Sequence, residues 1–231
     1  LIPPGRAWLG SPDGEAGRGD AETQHEVRVY VPFYLGSCEV TQEQWCALVP
    51  ENPSAFAGAD LPVEEVSWYD CQGFAARLCQ REGLPETSYR LPTETEWEYA
   101  CRAGTTSAYF FGDDANELDR FAEYAGNNYH STMPVGRKPL NALGLSNLHG
   151  NVWEWCLNRF GSVASDPTPT LDTASWRAIR GGNWYVPAPD CRSGERTRLP
   201  PASKGNMLGF RILRSIPESA FPPDPLPPHA D

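Results

Sequence analysis

Residues 26–31 read Glu-Val-Arg-Val-Tyr-Val, a polar–apolar alternation of period two that predicts a strand. Residues 2–8 predict an edge strand behind a Pro-rich entry, and 34–38 an extension of the same sheet as 26–31. The stretch 10–23, rich in Gly, Asp and Glu, carries no periodicity and predicts a loop. The period then becomes helical. Thr41 with Gln44 forms a capping box for a helix running to about Val49, where Pro50 and Pro53 stop it. Ser67 opens a second helix, whose apolar stripe of Cys71, Phe74, Ala75, Leu78 and Cys79 ends at Gly83. Thr93 with Glu96 opens a third, with Trp97 and Ala100 facing inward and Gly104 as the stop. The cysteines of these helices fall on apolar faces, which predicts buried, inert thiols.

Periodicity fades over 105–143, where loops carry Tyr109, Phe110, Phe111, Tyr124 and Tyr129. A central strand through Trp153 and Trp155 follows, then a loop over 158–175, a strand over 176–180 and a last strand over 208–213. Residues 217–231 hold six prolines and little apolar content, so a flexible tail is expected there. A few helices, several short strands and much irregular chain predict a single α+β domain.

The stretch from Gly144 to Cys156 places Asn147, Gly150 and Glu154 among two tryptophans, a mixture that local propensity does not explain. Gly150, Val152 and Glu154 alternate, so an extended backbone puts them on one side. Carbonyl oxygens of Gly150 and Val152 with the side chains of Asn147 and Glu154 would form an all-oxygen cluster. Such a set suits a hard cation, Ca2+ more readily than Mg2+. The competing reading makes the tryptophans core and Glu154 a buried acid paired with an arginine, and the two are compatible.

Composition narrows the classes. At 231 residues the chain can bury one large core, with eight Trp, nine Tyr and nine Phe to fill it. The negative mean hydropathy argues against a membrane span. A net charge of −11 without a basic stripe speaks against nucleic acid as partner. Seven cysteines, an odd number with no metal-like CxxC pair, imply a free or intermolecular thiol. They favour the cytoplasm, with the cell surface as the alternative.

Along nearly its whole length the chain resembles the formylglycine-generating enzyme, or sulfatase-modifying factor, domain family. The matching segments are Leu1-Ile-Pro-Pro-Gly5, Val40-Thr-Gln-Glu-Gln-Trp45, the run from Arg90 to Ala100, Gly150-Asn-Val-Trp-Glu-Trp155, Arg180-Gly-Gly182 and Gly209-Phe-Arg211. The resemblance implies a C-type lectin-like fold over residues 1–216. It also implies one structural Ca2+ at Asn147, Gly150, Val152 and Glu154. The family's second calcium site uses an Asp-x-Phe element, for which 122–139 offers no counterpart.

The enzymes of this family oxidise a substrate cysteine with a copper ion held by two cysteines, five positions apart, shortly after a Gly-Gly-Ser. Here Asn183 replaces the serine. Counting forward from Gly181-Gly182, Val186 stands where the first cysteine belongs and Cys191 where the second does. Counting back from Arg211, Cys191 matches neither. Soft thiolates select Cu(I), so the residues present predict no copper and no oxidase activity. His25, His130, His149 and His229 have no ligand-like spacing for the iron-dependent relatives.

The segment 180–211 also resembles the variable region of proteins diversified by diversity-generating retroelements, a prokaryotic device. Those proteins carry Arg-Gly-Gly-Ser-Trp, Cys-Arg-Ser-Ala-x-Arg and Gly-Phe-Arg on this same fold. Here Gly194 stands at the Ala. Their interleaved positions form a ligand-binding face, which corresponds to Tyr185, Val186, Ala188, Asp190, Glu195, Thr197 and Leu199. Loops over a rigid scaffold can change without cost to the core, and mixed aromatic and polar side chains suit a paratope. The expected function is therefore non-enzymatic binding of a protein or other macromolecular ligand, through one exposed patch. The alternatives are a copper oxidase of the formylglycine-generating type or a regulatory domain of a larger protein. Arg192, Arg196 and Arg211 are expected to be scaffold, pairing with acids such as Glu154 or Glu98.

Overall fold

Three capping boxes set the helices of the computed structural model, which describes residues 1–127, 130–161 and 176–217. Thr41 accepts from the Gln44 amide at 3.2 Å and Gln44 accepts from the Thr41 amide at 3.1 Å, opening α1 (Gln42–Cys46). This helix is shorter than the expected run to Val49. The amides of Leu48 and Val49 both turn onto the Trp45 carbonyl, and Trp45 Nε1 reaches on to Glu51 O at 2.9 Å. The Ser67–Asp70 box opens α2 (Trp68–Glu82), and Gly83 closes it in the left-handed region at φ 65°. The Thr93–Glu96 box opens α3 (Glu94–Arg102), where Ala103 at φ 48° takes the closing turn ahead of Gly104. The stripe of α2 is buried as expected, as are Trp97, Ala100 and Cys101 of α3. Cys46 departs from expectation: it is exposed.

Among the described residues the strands form three small sheets. β1 (Gly5–Leu9) pairs antiparallel with β2 (His25–Val29). Contrary to the expectation for 34–38, β3 (Phe33–Leu35) does not extend that pair. It joins β9 (Leu213–Ser215) and β4 (Tyr89–Arg90) in a separate sheet ordered β3-β9-β4. The central sheet is ordered β7-β6-β5-β8, with β5 at Trp153–Arg159, β6 at Arg177–Arg180, β7 at Arg196–Leu199 and β8 at Leu208–Gly209. The expected last strand over 208–213 is thus split. Its first part runs parallel to β5 and its end antiparallel to β3, because Phe210 and Arg211 turn into the core between them. Of the expected loop over 158–175, positions 162–175 lie outside the described residues, as do Tyr129 and the tail beyond Pro217.

Both faces of the middle of β5 and of β6 are covered, so Glu154–Leu157 and all of β6 are buried. Trp155, Leu157 and Ile179 pack with Trp45, Phe74 and Phe210 on one side. Cys156 and Ala178 pack with Trp97, Ala100 and Leu148 on the other. A third cluster of Tyr109, Leu118 and Cys191 lies under the segment that follows Gly182. Trp155, Trp184 and Phe210 are buried, whereas Trp153 is only half-buried. All seven cysteines are free.

Candidate functional site

Segment 180–211 begins and ends in buried arginines. Arg211 is fully buried, and its Nε and Nη2 each donate to Glu154 at 2.6 Å. Trp97 Nε1 adds a third bond to that carboxylate at 2.7 Å. Arg180 bonds Glu98 Oε2 at 2.5 Å, and Arg102 bonds Glu98 Oε1 at 2.7 Å. Arg196 forks onto Glu94 at 2.7 and 2.6 Å. Arg192 gathers Glu15, Glu22 and Glu195 around one guanidinium and so ties the 10–23 loop to this segment. Burial would raise the Glu22 carboxyl, but the bonds from Arg192, Ser11 and Gly19 hold it down at about 2. Glu195 goes the other way: burial and the neighbouring Glu22 push it up to about 7. These arginines are scaffold, as their pairing with acids anticipates. Charge-assisted bidentate bonds of this kind fix geometry tightly.

The oxygen set around Gly150 is built on turns. Asn147, Gly150 and Asn151 all have positive φ, at 55°, 86° and 62°. A side chain at Gly150 would meet Glu123 O at 2.1 Å, so only glycine fits. Asn147 Oδ1 accepts from the Gly136 amide at 3.1 Å. Glu154 Oε1 accepts one bond, from Arg211, which leaves it a lone pair for a cation. Beside this set lies Glu39, 1 % exposed, whose Oε1 accepts from Asn151 Nδ2 at 2.9 Å. Among the described residues its buried Oε2 has no partner. Burial and the adjacent Glu154 push the Glu39 carboxyl up to about 8. Oxygen-only donors and an orphaned buried carboxylate oxygen fit a hard cation such as Ca2+.

The seven candidate ligand-binding residues do not form the single exposed patch expected of them. Tyr185 is 60 % exposed, and Val186, Ala188 and Asp190 follow it half-buried along one short stretch. Val186 and Ala188 rest on the third cluster, and Tyr109 Oη donates to Ala188 O at 2.8 Å. Glu195 is turned onto Arg192 at 3.1 Å. Thr197 and Leu199 lie on β7, paired with Ile179 and Arg177, and Leu199 packs against the first core cluster. These last three are engaged by the framework, Glu195 by Arg192 and Thr197 and Leu199 by the β6–β7 pairing. Residues that no sequence spacing linked join Tyr185 instead. Its ring lies 5.6 Å from Trp184 and 6.4 Å from the exposed His130, and Phe56 meets Trp184 edge-on at 5.9 Å. Aromatic content alone could have flagged Phe56; His130 enters the sequence reading only as a histidine without ligand-like spacing.

Cys191 sits fully buried under Gly182, where a Cβ would come within 2.6 Å of its Sγ. Burial pushes this thiol up, away from the thiolate that copper requires. Val186 packs in the same cluster and offers no sulfur, so a two-thiolate copper site does not fit here. His149 is buried too and pushed down to about 3 by that burial, with Nδ1 2.7 Å from Cys191 O. It is a neutral, structural imidazole. A cleft of about 440 Å³ opens elsewhere, between the 10–23 loop, the start of α3 and β7. Its acids Glu22, Glu94 and Glu98 are each bound by an arginine, while Asp20, which also lines it, is exposed.

Residues 1–216 match the sulfatase-modifying factor enzyme 1-like domain. Chaperone protein LppX of Paenibacillus barcinonensis is 30% identical over 230 residues, covering 79% of this chain and 80% of that protein. The formylglycine-generating enzyme of Streptomyces coelicolor is 33% identical over 171 residues, 65% of this chain, and the match spans about half of that enzyme, 51%. Among solved structures, Treponema denticola variable protein 1 superposes with a TM-score of 0.81 at 28% identity, over 93% of this chain and 94% of that one. The α+β architecture is accordingly C-type lectin-like, in the variant shared by variable proteins and formylglycine-generating enzymes. On the match over residues 1–216, this chain belongs to the sulfatase-modifying factor enzyme 1-like domain family.

Proposed function

We propose that the chain is a non-enzymatic binding protein, with Tyr185, Val186, Ala188 and Asp190 as its ligand face and Trp184, Phe56 and His130 as aromatic support. The observation that carries this is the contrast within one segment. Residues 180–184 and 191–194 are buried, whereas each residue of 185–190 reaches solvent. Side chains held over so rigid a base can vary without unfolding it, and exposed aromatics such as Tyr185 dominate contact energies. The superposition on a variable protein supports the reading. The ligand is a protein or another macromolecule. Alongside this we propose one structural Ca2+ held by Asn147, Gly150, Val152 and Glu154, stabilising the native state that binds it.

A combined Tyr185→Ala, Val186→Ser, Asp190→Ala variant tests the binding face. It should capture none of the partners that the wild-type protein recovers in parallel affinity pull-downs, with an unaltered circular dichroism spectrum. Equal recovery by both proteins would reject the face. The named activity of the Streptomyces relative motivates the second reading, an oxidase. Incubation with Cu(I) and a cysteine-containing peptide should give no aldehyde; turnover lost on Cys191→Ser would establish the oxidase instead.

A further inference from the structure

The fold buries a second acid beside the calcium oxygens, from a part of the chain that no motif joins to them. Glu39 directly precedes Val40 and is 1 % exposed, against 0 % for Glu154. Glu154 has a guanidinium of its own in Arg211. Glu39 has the Asn151 amide on Oε1 and its own backbone amide beside the carboxyl, and among the described residues nothing on Oε2. An orphaned buried acceptor is costly, so a fold that keeps one poses a question.

Asn151 supplies the connection. Its Nδ2 donates to Glu39 Oε1 at 2.9 Å, and its Oδ1 accepts from the Met133 amide at 2.9 Å. Its own backbone lies between Gly150 and Val152, whose carbonyls are two of the cation donors. Asn151 therefore holds the Glu39 carboxyl to the turn that would bind the ion. Charge points the same way. A Ca2+ beside Glu154 and Arg211 would leave two net positive charges in a dry interior, and an ionised Glu39 reduces that to one. Buried charge of either sign is costly unless compensated.

We propose that Glu39 is an additional ligand of this calcium site, giving Oε2 to the ion and offsetting the charge of Arg211. The assignment rests on the calcium reading above. Ca2+ accepts six to eight oxygens, so one more side-chain donor suits a set of four residues.

The test is calcium titration of chelator-treated full-length protein by calorimetry, with thermal unfolding in parallel. Wild type should bind one Ca2+ and melt at higher temperature when loaded. Asn147→Ala, which removes a donor outside the ion pair, should weaken binding and so establish the site. Glu39→Gln keeps the Asn151 contact and removes the charge. It should weaken Ca2+ at least tenfold while leaving the metal-free melting temperature equal or higher. Glu39→Asp, which shortens the reach, should weaken it similarly and serves where the Gln variant does not fold. If Asn147→Ala weakens binding and neither Glu39 variant does, Glu39 is a neutral buried acid and the proposal fails while the site stands. A wild-type protein that takes up no Ca2+ overturns both.

Discussion

The segment 180–211 and the stretch 185–190 inside it are made of the same chain but obey different physics. In the outer parts Arg180, Arg192 and Arg211 are buried, and each carries acids from distant elements, so almost any change leaves a charge without its partner. In the inner stretch the backbone is held by Asn183, whose Oδ1 takes the amides of Tyr185 and Val186 at 2.7 and 3.1 Å. The side chains there all reach solvent, although Val186 and Ala188 also pack on the cluster beneath. The difference teaches that a tolerant surface needs an intolerant base. It also teaches that position in the sequence does not tell which residue belongs to which: Glu195 sits among the candidates yet serves the base.

The sharpest way to break this contrast is to cut the central ion pair. Arg211→Met leaves Glu154 buried with only Trp97 for a partner, and removing one member of a buried pair costs about 3–5 kcal/mol. Urea denaturation should show a loss of that size, partly recovered in the double variant Glu154→Gln, Arg211→Met. A loss below about 1 kcal/mol would mean that the framework is not rigid.

Next in size is the pH dependence of the Arg192 cluster. Glu195 is raised from 4.5 to about 7, so the folded state holds its proton more tightly than the unfolded chain does. Its contribution is therefore full below about pH 4.5 and is lost as pH rises through 7. Glu22, held down at about 2, acts oppositely: its contribution is present above about pH 4.5 and lost as pH falls towards 2. Glu195→Gln should flatten the decline between pH 5 and 8, by on the order of 1–2 kcal/mol. Equal slopes for variant and wild type would put Glu195 back among the exposed, ligand-facing residues.

Much of the fold was legible because its signals are local. The three helix starts follow from Thr41, Ser67 and Thr93 with an acid or amide three residues on, and β2, β5 and β6 from their patterns. What was illegible is long-range. Nothing local separates 208–213 into two strands, since the break arises from Phe210 and Arg211 entering the core. Nor could spacing show that β3 pairs with β9 at the far end of the chain. At the site, the motif around Gly150 pointed to Asn147 and Glu154, and family likeness to Tyr185. Glu39 and His130 reach their places through tertiary contacts alone. Thr197 and Leu199 were misjudged because β7 carries no distinct period in four residues.

The smallest expected effect is the one that the binding reading depends on most. Tyr185 is 60 % exposed with its ring edge-on to Trp184, Asp190 is half-buried, and neither side chain is in an ion pair among the described residues. Replacing both with Ala should change stability by no more than about ±0.5 kcal/mol, the usual range for surface positions. Val186→Ser is costlier, because Val186 packs on the Cys191 cluster and loses part of that burial. Measured side by side in chemical denaturation, Tyr185→Ala and Asp190→Ala should overlay wild type while Val186→Ser falls slightly below it. If Tyr185→Ala instead costs as much as a core truncation, the tyrosine is part of the base, and the ligand face must be sought elsewhere.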